Sequence, residues 1–311
     1  MKFGISLIMR GNAATPEAFV TIAERAEALE LDSLWCTDHL IIPQRTVSRY
    51  PGRADGNFPD TWLERYWEPF TVLSFLAAHT SKIALGTSVL ILPMRNPVEV
   101  AAQVAQLDQL CNGRFIFGVG AGWFQEEFDV LGWPFRERGA RTNEALALCK
   151  ALWTQDKPSF RGRNYRFENA NFAPKPVRKP HPPIWIAGHS TAALRRVAKY
   201  GDGWHPFKPT IEVIERGKAD LQGLLAAEGR SLHEIEISLK GALVFQDAPP
   251  AAEPVSLEGW PLEGRPKEII EALKRYEELG VGHFTFDIRP ETLETALETM
   301  ERFVQDVRPY L

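Results

Sequence analysis

The stretch RFIFGVGAGWFQEEFD, Arg114 to Asp129, is where the reading of this chain begins. Its first four residues are a short apolar run rich in aromatic and β-branched types, as a buried strand requires. Gly118, Gly120 and Gly122 then remove side chains at alternate positions, and Trp123 opens a polar, helix-like segment. A bare strand exit of this kind lets something flat or phosphorylated approach the backbone. It also fits a tight strand-to-helix turn with no ligand, and the stretch alone leaves both readings open. A dinucleotide fingerprint would need a glycine three residues after Gly120, where Trp123 stands.

Working outward, the same strand-then-helix unit recurs along the chain. Lys2 to Met9 reads as strand one, and Thr15-Pro16 starts a helix with Phe19, Ile22, Ala23, Ala26 and Leu29 at helical spacing. Ser33–Cys36, Ile83–Leu92 and the opening stretch supply strands two to four. The helices between them are Glu68–His79 and one beginning at Asn96-Pro97. Arg138–Trp153 is a helix, Phe160–Arg178 a hairpin-like insertion, and Pro183–Ala187 strand five, after which Ser190 caps a helix to Lys199. Gly203–Phe207, Ile235–Phe245 and His283–Ile288 complete eight strands, with helices over Ile211–Ala227, Pro266–Leu279 and Glu291–Val307. The strands read as continuous apolar runs, which suits a parallel sheet covered on both faces. The expected fold is α/β, a closed (β/α)8 TIM barrel spanning residues 1–311 as one domain, with insertions after strands two, four and seven. A doubly wound sheet is the structural alternative; regular units with no break in composition favour closure.

Composition narrows the function classes. The 311 residues carry a formal net charge of −4 with scattered basic groups, which argues against a nucleic-acid partner. Cys36, Cys111 and Cys149 are far apart with no CxxC pair, so a zinc ribbon or disulfide framework is not expected and a reducing compartment fits. No apolar run approaches the length of a membrane span, and Arg10 interrupts an N-terminal run already too short for a signal peptide. The default expectation is cytoplasmic.

In a barrel, chemistry belongs at the C-terminal ends of the strands. Strand one ends near Ser6 to Arg10, strand two at Asp38-His39, strand three through Thr87, Ser88, Leu92 and Pro93, and strand four at the glycines. Strand five ends at Gly188-His189-Ser190, strand six at His205 and strand eight at Asp287 and Arg289. Strand one lacks the paired histidines of a metallohydrolase, so no metal is expected. Asp38 and Asp287 come from different strands and make a weak glycosidase pair, and Lys240 alone is poor support for a Schiff base. Ala187 to Thr191 runs straight into a helix, where amides and a hydroxyl form a phosphate site or, equally, an ordinary N-cap. Asp38-His39 pairs a carboxylate with an imidazole, a structural hydrogen bond or a catalytic one. The long loop from Leu40 to Trp67 is a candidate substrate lid. Its Arg45, Arg49 and Arg53 are available to an anion or simply solvated, and Tyr50, Trp62, Tyr66 and Trp67 are available to shield a site from water.

Six motifs in order now carry a resemblance: Asp38-His39, LGTSVLILPMRNP (Leu85 to Pro97), GRFIFGVGAGW (Gly113 to Trp123), RGARTNE (Arg138 to Glu144), PHPPIWIAGHS (Pro180 to Ser190) and GDGWHP (Gly201 to Pro206). Over roughly residues 1 to 210 the chain resembles the luciferase-like monooxygenase superfamily, in particular the branch using the deazaflavin coenzyme F420. The resemblance implies an oxidoreductase moving a hydride between F420 and a small organic substrate. The same superfamily holds FMN monooxygenases that receive reduced flavin from a separate reductase, and a non-catalytic flavin-binding paralogue is a third possibility. It implies a ring lying across the barrel mouth, His39 as acid/base, and Asp38 orienting His39 or touching the ring. A non-proline cis peptide is implied at Ser88-Val89 behind the ring. Gly120, Ala121, Gly122, Trp123 and Ala187 would line the cofactor, and Gly188, His189 and Ser190 would hold its phosphate. The bare glycine face is then expected to lie against the ring. A homodimer is expected on the same ground. One departure stands out: the sugar-phosphate dehydrogenase branch places an acidic glutamate directly after the third glycine, where this chain has Trp123. That branch also has a tryptophan shortly after the Asp-His pair, where this chain has Leu40-Ile41-Ile42-Pro43. Trp123 is expected either to wall an apolar pocket or to pack in the core.

Overall fold

The computed structural model describes residues 1–50, 56–57, 65–246 and 262–311. Eight parallel strands close into a barrel: β1 (Lys2–Ser6), β2 (Ser33–Cys36), β3 (Ala84–Thr87, resuming at Leu90–Ile91), β4 (Phe115–Gly120), β5 (Ile184–Ala187), β6 (Gly203–His205), β7 (Glu236–Phe245) and β8 (His283–Ile288). Each pairs with the next, β8 returns to β1 through Lys2 opposite His283, and β6 meets β7 through Gly203 opposite Glu236. Helices α1 (Pro16–Ala28), α2 (Pro69–Ala77), α3 (Pro97–Leu110), α4 (Gln125–Val130), α5 (Arg138–Thr154), α6 (Thr191–Tyr200), α7 (Ile211–Ala227), α8 (Pro266–Glu278) and α9 (Leu293–Arg302) follow the strands. Their starts are set by local chemistry: Thr15, Asn96, Ser190, Thr210 and Thr292 each accept a backbone N–H from the first turn.

Sequence and structure differ at a few places. The third strand, read as continuous from Ile83 to Leu92, is interrupted, and the Ser88–Val89 peptide between its halves is cis. The last helix gives way at Phe303 to a wider turn through Val307. Phe160–Arg161 and Arg166–Phe167 pair antiparallel as the expected hairpin, which follows α5. Most of the insertion after β7, residues 247–261, lies outside the described residues, as do Arg53 and Trp62 of the long loop.

The apolar strands also alternate more than their sequences suggested. Phe284, Phe286 and Ile288 of β8 pack into the shell between barrel and helices. From the same strand His283 meets Trp35 and Trp185, and Asp287 meets Lys240. Both faces are buried, so inward polar residues read as breaks in an apolar run. Two tryptophans fill the interior: Trp35 and Trp185 stack at 4.9 Å between centroids. Glycines on neighbouring strands make their room; a Cβ on Gly86 would stand 2.4 Å from the Trp35 ring, and one on Gly203 2.4 Å from Trp185.

Candidate active site at the barrel mouth

Above the tryptophan layer, at the C-terminal strand ends, lies a cavity of about 490 Å³. Its wall includes Asp38, His39, Ser88, Val89, Gly120, Ala121, Gly122, Trp123, Ala187, Gly188, His189 and Ser190. The residues that the resemblance assigned to catalysis and cofactor binding therefore border one space, because consecutive strand exits converge when the sheet closes.

His39 and Asp38 have separate employments. His39 Nδ1 lies 2.8 Å from Oε2 of Glu127, which is only 1% exposed. The other oxygen of Glu127 accepts from the Leu40 and Ile41 amides at 2.6 and 3.2 Å. A carboxylate engaged by three donors is the acceptor, which places the ring proton on Nδ1 and fixes the ring's orientation. Asp38, named from the sequence as a possible orienter of His39, instead accepts both arms of Arg95 at 2.6 and 2.8 Å. It also accepts the Ile91 N–H at 2.8 Å, so it pins the strand just beyond the cis bond. Burial works against the Arg95 charge, but Asp38 and Glu68 outweigh it and hold its pKa above the usual value.

Glu127 and Arg95 were not picked out from sequence. Glu127 stands in the first turn of α4, beside Glu126 and Asp129, and nothing in QEEFD distinguishes the buried carboxylate from its neighbours. Glu126 does a related task, accepting the amides of Val47 and Ser48. The two glutamates tie both ends of segment 40–48 to α4. Of the loop's described residues, Tyr50 and Tyr66 line the cavity, whereas Arg45 and Arg49 are exposed. Trp123 walls the cavity, stacked on Phe124 at 5.3 Å and near Tyr50 at 5.8 Å.

The glycine exit is occupied differently from expectation. A Cβ on Gly118 would stand 1.8 Å from the Thr87 carbonyl oxygen, and one on Gly120 2.8 Å from Val89. At Gly122, with φ +81°, it would meet Ile91 and Phe128. The bare face thus receives the interrupted third strand. Gly120 and Gly122 still border the cavity, but their missing side chains are filled by protein.

At the β5 exit, Gly188 takes φ +98°, and Ser190 Oγ accepts the Ala193 N–H at 3.3 Å, an N-cap. Arg138 and Arg196 border the same end. They are held by neutral oxygens: Arg138 by the Gly122 and Phe135 carbonyls, Arg196 by Asn143 at 2.7 Å and the Gly139 carbonyl. A helix start flanked by two guanidinium groups is chemically suited to a phosphate.

The floor is polar but neutral. His205 Nε2 lies 2.8 Å from Ser88 Oγ and Nδ1 3.0 Å from Ser238 Oγ. Burial, with Lys240 nearby, pulls the pKa of His205 down to about 3, so one ring nitrogen donates and the other accepts. On the far wall Lys240 meets Asp287 at 3.2 Å. Burial would raise the pKa of Asp287, but Lys240, Arg289 and Arg10 outweigh it and hold it at about 2. Among the described residues no group of His, Cys, Asp and Glu is arranged to hold a metal, and no helix is long and apolar enough to cross a membrane.

A parallel eight-stranded barrel whose strand exits converge on one cavity is the arrangement of a barrel enzyme. Residues 1–260 match the model of the luciferase-like monooxygenase family, and the chain belongs to that family. An F420-dependent glucose-6-phosphate dehydrogenase of Amycolatopsis mediterranei is 34% identical over 193 residues, covering 61% of this chain and 53% of that protein. An FMNH2-dependent dimethylsulfone monooxygenase of Pseudomonas putida is 32% identical over 194 residues, 61% of this chain and 52% of the monooxygenase. Among solved structures, a monooxygenase of Streptomyces bottropensis superposes with a TM-score of 0.81 over 100% of this chain and 99% of its own, at 20% identity. The two sequence relatives are thus oxidoreductases of two cofactor types, one F420-dependent and one FMNH2-dependent.

Proposed function

We propose that the protein is an F420-dependent oxidoreductase acting on a small organic substrate. The observation that carries this reading is the His39–Glu127 pair at the cavity wall. A hydride exchanged at a carbon bearing oxygen or nitrogen must be matched by a proton on that heteroatom, and a carboxylate-backed imidazole is suited to hold or move it. With Nδ1 given to Glu127, the exchange would run through Nε2.

The size of the cavity and the distribution of its groups support this reading. A volume of about 490 Å³ lies within the usual range for cofactor sites. Gly188, His189 and Ser190, with Arg138 and Arg196, would hold the phosphate. Val89, Gly120, Ala121, Gly122 and Ala187 would border the ring, and Ser88, fixed by His205, would offer it a hydroxyl. When bound, F420 would supply the hydride chemistry, and the protein would supply orientation, a dry pocket and the proton. Asp38 would act through the backbone it pins. Trp123, Tyr50 and Tyr66 would exclude water.

The test is to titrate the purified protein with F420 and with FMN under reducing conditions and follow melting temperature. A rise with F420 that saturates at micromolar concentration is expected. Tight FMN binding with no F420 response overturns the choice in favour of a monooxygenase fed by a separate reductase. F420 binding without turnover over a broad panel of alcohols, aldehydes and imines would mark a non-catalytic relative.

A further inference from the structure

Residues 40–48 run between His39 and Tyr50, both of which border the cavity. The segment contains neither helix nor strand, and Leu40, Ile41 and Val47 expose their side chains, Val47 to 94%. Burial of these side chains therefore contributes little to its position. The first turn of α4 holds it at both ends through neighbouring carboxylates. Glu127 accepts the Leu40 and Ile41 amides on one oxygen and faces His39 Nδ1 with the other. Glu126 accepts the Val47 and Ser48 amides, the second at 2.9 Å, and the Ser48 hydroxyl bonds to it as well. Burial would raise the pKa of Glu126, but the Ser48 and Val47 donors outweigh it and hold it at about 2, so the acceptor is an anion. The contact is returned. Phe124 gives α4 no side-chain cap, and Ser48 Oγ accepts the Gln125 N–H at 3.3 Å instead. Just beyond, Tyr50 stands 5.8 Å from Trp123 on the cavity wall.

Adjacent residues of one helical turn thus hold the two ends of one segment, and one of the two carboxylates also orients the imidazole. We propose that Glu126 is a positioning residue for His39. By fastening Val47 and Ser48 to α4, it keeps Leu40 and Ile41 on Glu127, and so keeps His39 in the orientation and tautomer that Glu127 sets. Loss of the Glu126 contact would free the segment and deprive Glu127 of the two amides that fix it, because the donors around one carboxylate support one another. The inference rests on reading His39 as the proton-handling group. It adds a residue that touches neither the ring nor the cavity space and acts through backbone.

The test follows the whole chain by NMR, with its histidine rings labelled with heavy nitrogen, and needs no substrate. His39→Gln assigns the His39 signals among the seven histidines, and Glu127→Gln gives their pattern when the partner carboxylate is neutralised. Glu126→Ala should speed amide hydrogen exchange about tenfold or more at Ser48 and, together with it, at Leu40 and Ile41. The His39 ring signals should move from an Nδ1–H pattern toward that of Glu127→Gln, while exchange in the barrel strands stays as it was. Glu126→Gln keeps an accepting oxygen and should restore part of both. Ser48→Ala, which removes only the hydroxyl from the contact, should give the same pair of changes on a smaller scale and decides the matter if Glu126→Ala does not fold. Faster exchange at Ser48 alone, with Leu40, Ile41 and His39 unchanged, overturns the coupling, since the two clamps would then be independent. Unchanged exchange at all three amides overturns it too. A His39 response to Glu126→Ala in a protein that takes neither F420 nor FMN would uphold the coupling while removing the proposed function. F420 binding and turnover with His39 indifferent to Glu126→Ala would do the reverse.

Discussion

The interior layer of the barrel and its mouth are separated by only a few residues along each strand, yet their polar groups are used in opposite ways. In the interior, Trp35 and His283 both meet Ser33 Oγ, at 2.7 and 2.8 Å, and at the cavity floor above them His205 is shared between Ser88 and Ser238. These groups satisfy one another and are neutral, stacked against tryptophans. At the mouth, His39, Arg289 and Lys240 are backed from behind by carboxylates and border open space. The contrast teaches that a buried polar residue marks chemistry only when its partners leave one side of it toward a cavity. Substitutions in the interior should therefore be read out as stability, and substitutions at the mouth as turnover.

The largest effect is expected at the mouth. His39→Ala should lower turnover by roughly 10²–10⁴-fold while leaving cofactor affinity within a few-fold, as stopped-flow and equilibrium titration would show. Unchanged turnover would remove His39 from the mechanism and blur the division between the layers.

The interior should reveal itself through acid. Burial lowers His205 and His283 to about 3, from an ordinary value of 6.5. Unfolding lets them protonate, so their stabilisation is complete above about pH 6.5 and is lost as pH falls toward 3. Between pH 7 and pH 5 the loss is roughly 2 kcal/mol for each histidine. Calorimetric melting at the two pH values checks this, and His283→Gln should flatten the dependence by about half. A melting temperature indifferent to pH would mean the layer is wetter than its packing implies.

Gly86→Ala would press a methyl group against Trp35 and should cost about 1–3 kcal/mol, read by denaturant unfolding, while activity per folded molecule persists. Smallest is Ser190→Ala at the β5 exit. Losing the cap should cost α6 about 1 kcal/mol of stability, and a drop in cofactor affinity beyond that would place the phosphate there.

Much of the architecture was legible because capping residues and apolar runs are local signals. Thr15 and Ser190 cap as read, a helix begins at Asn96-Pro97 as read, and β2, α7 and β8 begin and end where the sequence placed them. The cavity wall was legible too, since in a closed parallel barrel residues at strand exits must converge. The missed features depend on side chains from distant segments. Glu127 meets His39 across 88 positions and Arg95 meets Asp38 across 57. No local pattern separates the buried Glu127 on α4 from the half-buried Glu126 and the exposed Asp129 beside it.

By itself the sequence determined the eight repeating units, the family they belong to, and many of the strand-exit residues that meet at the mouth. These follow from periodicity, capping and motif order, which are properties of neighbouring residues. Only the tertiary structure decided what each residue does there. It gave His39 to Glu127 and Asp38 to Arg95, filled the Gly118 and Gly120 face with the third strand, and set the Lys240–Asp287 pair across from Gly188. Those assignments rest on which donors and acceptors come within hydrogen-bonding reach once the barrel closes, and closure brings together groups far apart along the chain.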